Sequence, residues 1–111
     1  MATMHFDKLV RDRIPEILQK NGVVVEARVL TTEEYAKALR TKLIEEASEL
    51  DRALTTKDMQ EEIADVLEVV EAIAAFSGFS MDDIRAVQKA KREERGGFSK
   101  RIFLVATHDT K

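Results

Sequence analysis

The chain contains no cysteine, which excludes disulfides, thiolate metal sites and a cysteine nucleophile. Its only histidines are His5 and His108, near the two ends. Aromatic residues are few, with one tyrosine and five scattered phenylalanines, and the net charge is only −3. There is therefore no basic, aromatic-studded surface on which bases would stack, and a nucleic-acid polymer is not an expected partner. No apolar run approaches the roughly 20 residues of a membrane span, so no membrane partner is expected. The opening string, Met1 to Asp7, lacks the apolar core of a signal peptide, and a cytoplasmic protein is expected. Internal repeats, low-complexity tracts and linkers are absent as well.

What remains is 111 residues, 44% hydrophobic and 35% charged. That is enough for one domain with a core, spanning 1–111, and too little for two. The pattern is helix-rich. Asp12 is a candidate N-cap for a short first helix, Pro15 suits its first turn, and Asn21-Gly22 stops it. Val23 to Leu30 is β-branched and partly alternating, which reads as a strand. Thr31 with Glu34 makes a capping box for a long helix over about Thr32 to Leu54. Thr55 to Asp58 is a tight connection into a helix over about Lys57 to Ser77, ended by Gly78. Ser80 with Asp83 caps a fourth helix reaching about Arg95, and Gly96-Gly97 stops it. Arg101 to Thr107 is a second candidate strand. The expected fold is mainly α: a helical bundle around an antiparallel helix pair, with a minor two-stranded β-ribbon that needs helices to pack on.

Two acidic strings flank the turn between the long helices: Glu45-Glu46-Ala-Ser-Glu49 and Glu61-Glu62-Ile-Ala-Asp65. At about 100° per residue, with Glu46 at zero, Leu39, Leu43 and Leu50 fall at roughly 20°, 60° and 40°. Glu46 thus lies inside the apolar stripe and Glu49 at its edge. Around Glu62 the same construction places Val66, Val69, Val70 and Ile73, with Asp65 at the edge. Carboxylates are rarely buried alone. Acidic runs on helices are more often solvated faces, and Glu45, Glu61, Glu68 and Glu71 fit that description. Glu46 and Glu62 fit it poorly. Lys42, one turn before Glu46, suits either a helix salt bridge or a phosphate contact.

The short loop makes the two long helices antiparallel neighbours. Counted from Thr56, Glu49 and Glu46 lie seven and ten residues before the turn, and Glu62 and Asp65 six and nine after it. At about 1.5 Å per residue the two pairs are level to within roughly 2 Å. Glu49 should face Glu62, and Glu46 should face Asp65. Two unit charges about 5 Å apart repel by roughly 3 kcal/mol at an effective dielectric near 20, so protons or a metal must compensate. Oxygen-only ligands suit Mg²⁺, Mn²⁺ or Ca²⁺ rather than Zn²⁺ or copper. A di-iron bundle would need Glu-x-x-His pairs, which this chain lacks.

The string Glu45-Glu46-x-x-Glu49, twelve residues, then Glu62-x-x-Asp65 resembles the signature of the MazG-like all-α nucleotide pyrophosphohydrolase superfamily. Two further strings, Lys8-Leu9-Val10-Arg11-Asp12-Arg13-Ile14-Pro15 and Arg95-Gly96-Gly97-Phe98, look like its small house-cleaning branch, which includes phosphoribosyl-ATP pyrophosphohydrolase-like proteins. The resemblance implies a helical core, Mg²⁺ dependence (Mn²⁺ as the alternative), and a homodimer or homotetramer. It also implies a nucleoside triphosphate substrate, cleaved to monophosphate and pyrophosphate. The residues that match the family's metal ligands are Glu46, Glu49, Glu62 and Asp65.

For the chemistry, Glu45 and Glu49 are the candidate bases for an attacking water. Lys8, Arg11, Arg13, Lys91, Arg95 and Lys100 are available for phosphates, each otherwise an ordinary surface charge. Lys42, Arg11 and Arg95 are the expected substrate contacts, Arg95 because two glycines follow it and let backbone approach a ligand. Two other readings stay open: hydrolysis of phosphoribosyl-ATP, and a non-catalytic helical module that binds a nucleotide or a protein. Neither the base nor the sugar is legible.

Overall fold

The computed structural model describes residues 2–109. Among them are four helices, α1 (Ile14–Lys20), α2 (Thr32–Asp51), α3 (Thr56–Phe76) and α4 (Met81–Arg95). Local chemistry fixes where each begins. At α2 the Thr31 hydroxyl accepts from the Glu34 N–H (3.2 Å), and the Glu34 carboxylate accepts from the Thr31 N–H (3.0 Å). Arg28 clamps both oxygens of the same carboxylate, at 3.0 and 2.8 Å. This hydrogen-bonded guanidinium, then the Thr31 N–H, holds Glu34 down at about 2. At α3 the Thr55 hydroxyl accepts from the Asp58 N–H (3.0 Å). At α4 Ser80 and Asp83 form a second reciprocal box. Each device satisfies backbone donors that the first helical turn leaves free.

Helix ends are set as locally. The Gly78 N–H donates to Ala75 O (3.1 Å) and the Phe79 N–H to Ala74 O (2.8 Å). That closing pattern needs a left-handed residue between them, and Gly78 supplies it at φ +85°. α2 stops at Asp51, three residues before the expected Leu54. The Arg52 and Ala53 N–H groups turn back onto Glu49 O and Leu50 O, and Leu54 is 95% exposed. No burial rewards a further turn. At α1 the N-cap is Arg13, without any side-chain cap bond, so the expected cap at Asp12 is not made.

α2 and α3 form the antiparallel hairpin that organises the molecule, and α4 touches only α3. The hairpin buries Leu39, Val69 and Ala74, and Tyr35 meets Phe76 edge to face at 5.2 Å between ring centroids. The only buried charged residue among those described is Glu46.

The β-ribbon is not formed, and this corrects the sequence expectation. Among the described residues there is no strand: 23–30 and 101–107 have no regular secondary structure. Val24 and Val29 are 95% and 96% exposed, and Ile102 to Val105 are likewise solvent-facing. β-branched composition expresses a local preference, whereas a two-stranded ribbon also needs a face to pack against. Both segments are almost wholly exposed, so neither is packed on a helix. The radius of gyration is 19.2 Å, against about 13 Å for a domain of this length packed on itself. Ile44 on α2 and Ile63 and Leu67 on α3 also lie exposed.

Thr31→Ala should lower unfolding stability by about 1 kcal/mol, the usual worth of such a cap, read by urea or thermal denaturation near neutral pH. The Glu34 carboxylate is held below its ordinary value, so its contribution is present above the unfolded pKa and lost as pH falls through the folded one. The penalty of Arg28→Gln, which removes the main cause of that shift, should therefore shrink between about pH 4.5 and about 2, whereas that of Thr31→Ala, whose hydroxyl accepts from a backbone N–H, should change little.

Candidate active site

Glu46 and Glu49 come from the C-terminal half of α2, Glu62 and Asp65 from the first turns of α3. The hairpin brings one carboxylate oxygen of each to within 4.8 Å of all the others. Glu46 is buried (7% exposed), and the other three are half-buried. The helical period that sets Leu39 and Val69 inward carries Glu46 and Glu62 with them.

The electrostatics show the strain of that convergence. Burial first, then the neighbouring Glu49 carboxyl, raises Glu46 above the carboxylate range, against the pull of Lys42. Burial likewise raises Glu62, followed by the charges of Glu49, Asp65 and Glu46. Among the described residues, Glu46 Oε2 and Glu62 Oε2 have no hydrogen-bond partner, although neither atom is open to solvent. Orphaned acceptors are unfavourable, so this cluster favours binding whatever positive group can reach it. Oxygens bound on opposite sides of one hard cation lie about 4–5 Å apart. The four-oxygen span fits such an ion, and an all-carboxylate donor set matches Mg²⁺, Mn²⁺ or Ca²⁺ chemistry.

Two cations already flank the cluster. Lys42 Nζ lies 3.3 Å from Glu46 Oε1 and 3.4 Å from Glu45 Oε1. Arg11 Nη2 donates to Asp65 Oδ1 at 2.6 Å, and its Nη1 stands 4.0 Å from Glu68 Oε1. Among the described residues, no cation pairs with Glu49 or Glu62. Beside the carboxylates a cleft of about 230 Å³ is lined by apolar or aromatic residues, including Tyr35, Leu39, Val69 and Ala72, and by the charged Arg11, Lys42, Glu46, Asp65 and Glu68.

Of the residues singled out in the sequence, Glu46, Glu49, Glu62 and Asp65 thus come together, and Lys42 and Arg11 join them. Glu45 lies beside the cluster but is not free: Lys8 Nζ reaches its Oε1 at 3.1 Å. Burial raises Glu45, but Lys8 and Lys42 outweigh that and leave it below its ordinary value. Arg95 is placed elsewhere, in a separate surface hollow of about 370 Å³ lined entirely by residues 95–102. Sequence reasoning passed over Tyr35 and assigned Glu68 to an ordinary surface. Tyr35 had a signal, being the chain's one tyrosine and one helical turn from Leu39. Glu68 had none, because the residue that approaches it is remote in sequence.

A helical hairpin carrying four convergent carboxylates beside an apolar cleft defines an all-α protein with an acidic, cation-receptive site. Residues 34–97 match the MazG nucleotide pyrophosphohydrolase domain, and the chain belongs to that family. It is also 49% identical over 51 residues to an uncharacterized protein of Mycolicibacterium smegmatis, a stretch covering 46% of this chain and 51% of the relative. The alignment therefore spans about half the length of that curated relative. No solved structure matches the chain. No helix among the described residues is long and apolar enough to cross a membrane.

Because Glu62 is raised by burial and like charges and has no cation partner, Glu62→Gln should raise the melting temperature of the metal-free protein. The same change should diminish any rise produced by millimolar Mg²⁺. Differential scanning calorimetry with and without the ion reads both effects, and a destabilised metal-free variant would contradict the repulsion described above.

Proposed function

We propose that this protein is a Mg²⁺-dependent nucleoside triphosphate pyrophosphohydrolase, which hydrolyses a triphosphate between its α- and β-phosphates. The observation that carries the reading is the cluster of four carboxylate oxygens with two orphaned buried acceptors, lying within the family-matched region. Glu46, Glu49, Glu62 and Asp65 would hold the metal, with Mn²⁺ as an alternative. When bound, such an ion neutralises phosphate oxygens and lowers the pKa of a coordinated water.

The chain's own groups account for the rest. The apolar and aromatic lining of Tyr35, Leu39 and Val69 excludes water from part of the cleft and offers a surface for the nucleoside. Lys42 and Arg11 line the same cleft, where the phosphates would lie. Water attacks the α-phosphorus, the α–β bridging P–O bond breaks, and pyrophosphate departs with the bridging oxygen. The attacking water must lose a proton to a nearby base. Glu49 is the better placed of the two candidates, because its oxygen lies in the cluster while Glu45 is tied by two lysines. A house-cleaning role on non-standard nucleotides in the cytoplasm fits this chemistry.

The working form is proposed to be a homodimer or homotetramer. The support is the incomplete core: Ile44, Ile63 and Leu67 lie exposed on the two hairpin helices, and a second copy would cover such faces at little cost in chain entropy.

With millimolar Mg²⁺, a panel of canonical and modified nucleoside triphosphates should yield monophosphate and pyrophosphate in equal amounts for at least one member. Glu46→Gln and Asp65→Asn should reduce that rate to background while leaving the helical circular dichroism unchanged. Full activity in either variant would remove that residue from the site. Light scattering after size exclusion should give two or four times the 12.6 kDa chain mass, and a monomer would overturn the proposed assembly.

A further inference from the structure

The residues that reach the carboxylates from outside the hairpin belong to a short segment, 8–12, which has no regular secondary structure. It also lies outside the family-matched residues 34–97. Three ion pairs hold it across the hairpin: Lys8 to Glu45 on α2, and Arg11 to Asp65 and, at 4.0 Å, to Glu68 on α3. Between those anchors Leu9 and Val10 line the cleft beside Lys42 and Glu46. Only Arg11, from this segment, contacts a member of the four-carboxylate cluster, through the 2.6 Å bond to Asp65 Oδ1.

Charge counting gives that bond a purpose. Six carboxylates (Glu45, Glu46, Glu49, Glu62, Asp65 and Glu68) share the site with three cations (Lys8, Arg11 and Lys42), a formal charge of −3. One divalent cation would leave −1. A polyphosphate arriving then finds a positive group only where one of these cations turns from its carboxylate towards it. Arg11 is the cation that can be released. It is about half exposed, so its pair with Asp65 is a weak one to break. Its planar fork suits phosphate as well as carboxylate. Lys42 is less free, because it is mostly buried and pairs with both Glu45 and Glu46.

We propose that Arg11 is an exchangeable counterion that pairs with Asp65 before metal arrives and with the substrate's phosphates afterwards, so that segment 8–12 couples metal loading to polyphosphate capture. This rests on the reading of the carboxylates as a metal site. Arg11 then opposes metal binding and favours phosphate binding, and its removal has effects of opposite sign on the two.

Isothermal titration of the full chain with Mg²⁺ alone, then with pyrophosphate at saturating Mg²⁺, tests the coupling. Arg11→Gln should bind Mg²⁺ on the order of two- to fivefold more tightly, the scale of one exposed ion pair, and should bind pyrophosphate more weakly than wild type. Arg11→Lys keeps the charge and should keep Mg²⁺ affinity near wild type, with circular dichroism confirming that both variants are folded. Unchanged or weaker Mg²⁺ binding by Arg11→Gln overturns the proposal, as does unchanged pyrophosphate affinity. It is also overturned if Arg11→Lys tightens Mg²⁺ binding as much as Arg11→Gln does, since the effect would then not be one of charge. Failure of the wild-type chain to bind Mg²⁺ at all is a different result, which overturns the metal reading itself.

Discussion

Mutual repulsion among four carboxylates is the constraint on which the rest of this molecule turns. Like charges held within 4.8 Å separate unless something stiffer holds them. Here the stiff element is a pair of helices joined by a four-residue connection, Arg52–Thr55. Each helix is nucleated by its own cap, so neither relies on the acidic patch to form. Leu39, two turns from Glu46, and Val69, one turn from Asp65, are buried, so apolar packing holds the helices together next to the level where the charges would push them apart. Stability is thus given up at one place to keep ligands in position, as is usual where a site is prepared for a cation before the cation arrives.

The same constraint explains the distribution of counterions. Lys42 is supplied from one turn away on α2, where geometry fixes it beside both Glu45 and Glu46. Arg11 is supplied from a segment without regular structure and meets Asp65 across 54 residues of sequence. A helix-borne cation is a permanent fixture, whereas one carried on a loop is removable. Among the described residues, Glu49 and Glu62 are left without either kind. The field of the site therefore points towards these two residues, and a further positive charge is best accommodated there.

Much of this arrangement is legible in the sequence because it depends on short-range periodicity. The boxes at Thr31 and Ser80 involve residues three apart, and both form as read. The convergence of Glu46, Glu49, Glu62 and Asp65 follows from two helical wheels and one short loop, with no long-range information. The misreadings share the opposite property. Val23 to Leu30 and Arg101 to Thr107 have strand-like composition, but a ribbon depends on a distant partner and a supporting face, and sequence pattern encodes neither. The pairing of Glu45 with Lys42, one turn away, is of the legible kind, whereas its pairing with Lys8 is not, because a helical wheel cannot show a residue arriving from 37 positions away. Leu54 was included in α2 because its side chain suits a helix, although nothing lies beside it to pack against.

The exposed apolar residues and the acidic cluster are two consequences of one design. A hairpin that spends part of its inward stripe on Glu46 and Glu62 has less apolar surface left to bury within itself. Among the described hydrophobic residues only Leu39, Val69 and Ala74 are buried, a small core for a chain of this length. In the proposed assembly, surfaces the hairpin turns outward, Ile63 and Leu67 among them, would meet the apolar face of a second copy. Assembly and the acidic site would then be linked at the level of the sequence. Each carboxylate placed in the stripe removes an internal hydrophobic contact and increases the need for an external one.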